Sequence, residues 1–290
     1  MNLLNKQALN HILVNNLEYL YIKHGNGPVI FFLHGFPDSA YTWSIIIDEL
    51  SKNYTCIVPF LRGYYPTEIP KDGDYSMTTI ATDINKIASA LDINTYSVVG
   101  HDWGATVAYT MANMFPKRIA KICTIGMPHP KFLKPTFSLL YKARHIIYLM
   151  NEEKSAKRVS KNHFQYLTKL YKRWSPNWKD YNKTRDQIMT DFSKEGRIKA
   201  ALGYYWQLKN KADNLEKSKI YNQLPQVPLL TLVGKKDGTV VLKQFKQMER
   251  ELKSDFKLFI HPTAGHFLHQ ENPLFVINAL KMFFAKNKGY

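Results

Sequence analysis

The stretch VVGHDWGA, residues 98–105, decides the fold. An apolar strand pattern ends at Gly100, His101, Asp102 and Trp103 form a turn, and Gly104 opens a run of small and apolar residues with helical spacing. A strand that turns this abruptly into a helix has the form G-x-nucleophile-x-G. The turn holds the middle side chain at the strand tip, and glycines flank it because side chains there would collide. The central residue is Asp102. A serine in that place needs a base to remove its proton, whereas an aspartate is already ionised and can bond to saturated carbon as an alkyl ester. The plainer reading makes Asp102 a helix N-cap; the flanking glycines and the preceding strand favour chemistry.

Working outward, strands and helices alternate on both sides of this stretch. Residues 11–35 hold three strand-like runs, HILVNN, EYLYIKHG and PVIFFLHG, the last continuously apolar as a strand buried on both faces requires. A helix is expected over 41–50, a strand over 54–60, a helix over 77–91, a strand over 96–100, a helix over 105–114 and a strand over 119–126. From 131 to about 221 only helical periods appear. Alternation resumes with a strand over 228–234, a helix over 243–252, a strand over 256–261 and a helix over 273–285. The expected fold class is α/β: a mostly parallel central sheet flanked by helices, with an inserted all-helical cap. The core would comprise 1–130 and 223–290, and the cap 131–222.

Composition excludes the exotic classes. With 290 residues, 45% hydrophobic and 22% charged, the chain is neither disordered nor a disulfide scaffold. Cys56 and Cys123 lie in apolar strand runs and read as buried thiols. No stretch reaches the roughly 18 apolar residues of a membrane span, and the N-terminal residues lack the apolar core of a signal peptide. A cytoplasmic protein is expected. The chain carries 40 Lys and Arg against 23 Asp and Glu, a net +17, and residues 131–222 alone hold 21 basic and 8 acidic side chains, a net +13. No nucleic-acid motif accompanies this charge, so no nucleic-acid partner is expected and it reads as solvated lysines on helix surfaces.

Two further motifs complete a candidate site. In FFLHGFPDS, 31–39, a turn directly follows the buried strand, where the Phe36 N–H can join the Trp103 N–H in holding an oxyanion. In LVGKKDG and HPTAGHFLHQ, Asp237 and His266 each follow a strand, giving the order nucleophile, acid, histidine. His266 would act as general base on a water, and Asp237 would orient it. His261 and His269 read as ordinary loop histidines.

Together with MPHP at 127–130 and AGHFLHQENP at 264–273, these motifs resemble the α/β-hydrolase superfamily, in its epoxide hydrolase and haloalkane dehalogenase branch, and epoxide hydrolases most. The resemblance covers 28–130 and 226–286. Haloalkane dehalogenases typically carry an asparagine near the position of Phe36 to cradle halide with a tryptophan like Trp103, and that half of the cradle is missing. Fluoroacetate dehalogenases grip the substrate acid with arginines where this chain has Trp103 and Thr106. Epoxide hydrolases need phenolic donors in the cap. ALGYYWQL, 201–208, resembles the segment of one such donor and implicates Tyr205, with Tyr204 adjacent. RHIIYLM, 144–150, resembles the segment of the other and implicates His145, a substitution seen in a subgroup, with Tyr148 as fallback. PFLRGYYPT, 59–67, matches the family's Arg-Gly-Tyr turn but has Phe60 where an acid is common and Tyr65 where a glycine is common.

The resemblance implies a hydrolase with an aspartyl-ester intermediate, acting with water on a small apolar epoxide and giving a vicinal diol. No metal or organic cofactor is implied. A halide-releasing enzyme is the alternative, favoured if Trp103 meets a cap tryptophan such as Trp174, Trp178 or Trp206. A non-catalytic binding protein on the same scaffold is a third.

Overall fold

A computed structural model describes residues 9–209, 219–252 and 256–285; the last residues of the expected cap include 210–218, which lie outside these. Eight strands form one sheet: β1 (Asn10–Val14), β2 (Leu17–His24), β3 (Val29–Leu33), β4 (Thr55–Pro59), β5 (Tyr96–His101), β6 (Ile119–Ile125), β7 (Leu229–Gly234) and β8 (Phe256–His261). Their order is β1-β2-β4-β3-β5-β6-β7-β8. β1 and β2 pair antiparallel, β2 joins β4 antiparallel, and every later pairing is parallel. β3 and β5 are central, and the apolar runs VIFFL and YSVV are accordingly covered on both faces.

Helices cover both faces. α1 (Ser44–Leu50) packs on one, with Ile46, Ile47 and Leu50 in the core beside Phe32 and Val58. α2 (Met77–Ala90) and α3 (Trp103–Met114) pack on the other, with Ile80, Ile84 and Val107 facing Phe31 and Val98. The helix expected over 41–50 opens as a 3-10 turn, Ala40–Trp43, because Ser39 accepts the Tyr41 N–H with its hydroxyl and tightens the first turn. Cys56 and Cys123 are buried free thiols on β4 and β6.

Between β6 and β7 every regular element among the described residues is helical. α4 (Phe137–Lys142), α5 (Arg144–Leu149), α6 (Glu152–Trp174), α7 (Asn182–Phe192) and α8 (Arg197–Trp206) follow one another. α6 is two helices joined at 161–164, where Asn162, His163 and Phe164 take φ of 52°, 50° and 55°. Beyond β7 come α9 (Leu242–Leu252), α10 (Leu268–Glu271) and α11 (Pro273–Phe284), the last packed beside α1. Among the described residues, no helix is long and apolar enough to cross a membrane.

Candidate active site

Parallel strands that run side by side deliver their C-terminal ends to one edge of the sheet, and side chains on the following loops converge there. Asp102 leaves β5, Phe36 follows β3, Asp237 follows β7 and His266 follows β8. Asp102 sits at φ 54°, ψ −117°, in the N-cap position of α3, and its carboxylate makes no capping bond. The N-cap reading of this residue is thereby replaced by one in which both oxygens face other loops. Oδ1 accepts the Phe36 N–H at 2.9 Å, and Oδ2 lies 3.4 Å from His266 Nε2. The turn closes this tightly because a Cβ on Gly104 would stand 2.2 Å from the Leu33 carbonyl. His34 steadies the Phe36 loop, accepting the Leu61 N–H on Nε2 with Nδ1 3.2 Å from the Gly35 carbonyl.

Behind His266, Nδ1 lies 3.0 Å from Asp237 Oδ2. Asp237 Oδ1 accepts both the Thr239 N–H and the Thr239 hydroxyl at 2.7 Å. Asp102, His266 and Asp237 are 7%, 0% and 2% exposed, so their mutual charges act with little screening by water. Burial pulls the His266 imidazole down, but the Asp237 and Asp102 carboxylates outweigh it and hold the ring up at about 10. Burial pushes the Asp102 carboxyl up, but His266, with help from the Phe36 N–H, holds it below the usual carboxylate range. Both shifts favour the carboxylate and imidazolium forms of the pair.

The helical segment closes over this edge with aromatic rings. Tyr205, on α8, meets Phe36 edge-on at 5.3 Å, Trp103 at 5.0 Å and His145 at 6.3 Å between ring centroids. Burial, then the Asp102 charge, raises its phenol well above the ordinary value, so it stays protonated. His145, on α5, packs against Trp174 at 4.6 Å and is lowered to about 3 by burial and by Arg173; its ring is neutral. The indole N–H groups of Trp103 and Trp174 are buried with no hydrogen-bond partner in the described protein. Trp206 donates to Leu149 O and Ser155 Oγ, while Trp178 packs on Tyr171, Tyr181 and Phe267.

Two candidates from the sequence are placed elsewhere. The Tyr204 hydroxyl donates to the Arg62 carbonyl at 3.0 Å and is committed to the Arg-Gly-Tyr turn. Adjacent helical residues point about 100° apart, so only one of the pair can face Asp102. Tyr148 stacks on Tyr166 at 4.7 Å under the Arg158 guanidinium, which leaves His145 as the residue of α5 beside Tyr205.

Beneath the site lies a group that sequence reasoning passed over. Asp38 Oδ2 is 3.4 Å from His101 Nδ1 and 3.2 Å from His269 Nε2, and all three residues are fully buried. His101 Nε2 is 3.0 Å from the His266 carbonyl, so this trio supports the loop that carries His266. Burial lowers His269 to about 4, while the two imidazoles beside Asp38 overcome its burial and depress its carboxyl. Their ligand atoms lie within 4.8 Å of one another, the spacing of a metal site. The HGFPD and GHD segments already contained Asp38 and His101, but nothing local joined them to His269.

The C-terminal end of α6 is built into the same loops. The Trp174 carbonyl accepts the N–H groups of Gly238 at 3.1 Å and His266 at 3.0 Å. Ser175 Oγ accepts the Phe267 N–H and donates to Glu271, whose carboxylate also receives the Gly265 N–H. A Cβ on Gly265 would stand 2.4 Å from the Ser175 Cα, which explains a glycine directly before His266. Farther along the interface, Tyr171 donates to the Pro37 carbonyl at 2.6 Å.

Known proteins resemble this chain over most of its length. The chain is 24% identical over 289 residues to human epoxide hydrolase 4, covering 94% of this chain and 77% of the relative. It is 27% identical over 283 residues to the soluble epoxide hydrolase of Corynebacterium sp. (strain C12), covering 94% and 96%. An epoxide hydrolase from Bacillus megaterium, solved in complex with an inhibitor, superposes with a TM-score of 0.81 at 23% identity, covering 96% of this chain and all of the other. The family model for the alpha/beta hydrolase fold matches residues 28–273. By sheet order, the strand-to-helix turn at Asp102 and this match, the chain belongs to the alpha/beta hydrolase fold family.

Proposed function

We propose that the protein hydrolyses epoxides to vicinal diols, with residues 131–222 acting as a cap over a core of 1–130 and 223–290. One observation carries the reading: an ionised carboxylate, free of any capping bond, is presented between the Phe36 N–H and the His266 imidazole. The names of the relatives support the substrate class. In the first step Asp102 attacks an epoxide carbon, the carbon–oxygen bond breaks, and Tyr205, beside His145, donates a proton to the departing oxygen. Esterification removes the Asp102 charge, and His266 loses one of the two carboxylates that held it protonated. Its proton then restores the Tyr205 phenol.

The neutral imidazole is now a base. It takes a proton from water, and hydroxide adds to the ester carbonyl while the N–H groups of Phe36 and Trp103 hold the oxyanion. Collapse breaks the ester bond, the carboxyl proton passes to the departing alkoxide, and the diol leaves behind the original carboxylate and imidazolium. Protons and charge balance over the cycle.

A second reading has its own support. The unpartnered indoles of Trp103 and Trp174 flank the Tyr205 and His145 pair and could donate to a departing halide. Incubation of the protein with styrene oxide and with a bromoalkane separates the two by diol against halide release. In the His266→Gln variant, mass spectrometry should find an ester on the peptide containing Asp102. No turnover and no trapped ester on either compound would remove both readings and leave a binding protein on a hydrolase scaffold.

A further inference from the structure

The largest exposed apolar side chains of the cap lie together on α4 and α5. Phe137 is 89% exposed, Leu140 55%, Tyr141 62% and Ile147 71%. Phe137, Leu140 and Tyr141 follow the spacing of one face of α4, and Arg144 and Ile147 that of one face of α5. Leu139, His145 and Leu149 on the opposite side are buried. A patch of this kind on a folded surface marks an interface with something.

Charge says what the partner is. Between Trp103 and Asn151 the chain carries seven Lys and Arg and no Asp or Glu. Lys134 and Arg144 are exposed on this stretch, with the Arg144 guanidinium 4.1 Å from the Tyr141 ring centre; among the described residues, Lys131 is the cation of this stretch that forms an ion pair with an acid, Glu251. A second copy docked by this face about a twofold axis would set Lys134 and Arg144 against their own kind. An anionic lipid surface meets both needs, since apolar side chains flanked by cations are what partition into a headgroup layer.

The patch also adjoins a cavity. Ile146, next to Ile147, lines an apolar space of about 300 Å³ together with Leu133, Met127, Leu208 and Trp103, the neighbour of Asp102. We propose that α4 and α5 dock the protein on membranes containing anionic lipid, with Phe137, Leu140 and Ile147 inserted among the acyl chains. Docking stands independently of the reaction; its use in taking lipophilic epoxides from the bilayer rests on the proposed function.

The test uses the full chain with vesicles of phosphatidylcholine alone or with an equal part of phosphatidylglycerol. Cys56 and Cys123 are buried, so an environment-sensitive dye can be directed to Phe137→Cys and, as control, to Met282→Cys on α11. The dye at 137 should shift to the blue on mixed vesicles, with the dye at 282 unmoved and little effect of phosphatidylcholine alone. The triple variant Phe137→Ser, Leu140→Ser, Ile147→Ser should keep its melting temperature and lose about tenfold or more in vesicle partitioning. Binding without a blue shift at 137 would mean simple adhesion of a basic protein and overturn the proposal. So would no binding, or a concentration-dependent dimer that shifts the 137 dye without vesicles.

Discussion

Removing the Asp102 carboxylate should turn His266 from imidazolium to neutral imidazole at neutral pH. Nε2 lies 3.4 Å from Asp102 Oδ2. Unit charges at that separation, in an effective dielectric of about 20, interact by about 5 kcal/mol. That energy corresponds to about 3 to 4 pH units in a titration. Starting from about 10 in the intact protein, the ring in Asp102→Ala should titrate near about 6 to 7, close to an ordinary histidine although Asp237 remains. The assay is the nitrogen and proton resonance of the His266 ring, followed by NMR across neutral and alkaline pH in both proteins, with His266→Gln identifying the signal. A ring that titrates at the same pH with and without Asp102, or that is already neutral at pH 7 in the intact protein, would refute the reasoning. It would also remove the means by which the first chemical step creates the base for the second.

Four other outcomes are expected. Tyr205→Phe should lower the rate of epoxide opening by about 100-fold, the cost of one preorganised donor. Tyr204→Phe should leave turnover unchanged but cost about 1 kcal/mol through the lost bond to the Arg62 carbonyl, read as a fall in melting temperature. Stability should decline on the alkaline side in the intact protein and less in His266→Gln. The folded value of about 10 exceeds the ordinary 6.5, so the histidine's contribution is complete below pH 6.5 and is lost as pH rises through about 10. His163→Gly, at an exposed position with φ 50°, should raise stability by about 1 kcal/mol by relieving a left-handed conformation, and a lower melting temperature would contradict that.

Local signals carried most of the architecture. The apolar run of β3 and the strand-to-helix turn at Asp102 are each written in a few neighbouring residues, and apart from the 3-10 opening at Ala40–Trp43 strands and helices appeared where their periodicity placed them. Asp102, Asp237 and His266 were legible as candidates for the same reason, since each follows its own strand, and the structure brings them together. What escaped depends on distant segments meeting. Asp38, His101 and His269 come from three loops, and His269 in isolation looked ordinary. Tyr204 and Tyr205 share a helix turn, so only the packing of α8 on the Arg62 turn tells which phenol is spent on the backbone. Tyr148 was the fallback to His145 on α5, and Tyr166 on the next helix captures its ring.

The Trp174 carbonyl, which receives N–H groups from both the Asp237 turn and the His266 loop, makes the two halves of the molecule inseparable at that point. A chimera that grafts a relative's helical segment between β6 and β7 of this chain must keep the Trp174–Ser175 dipeptide in register, or it will misplace Asp237 and His266 even with the rest of the sequence intact.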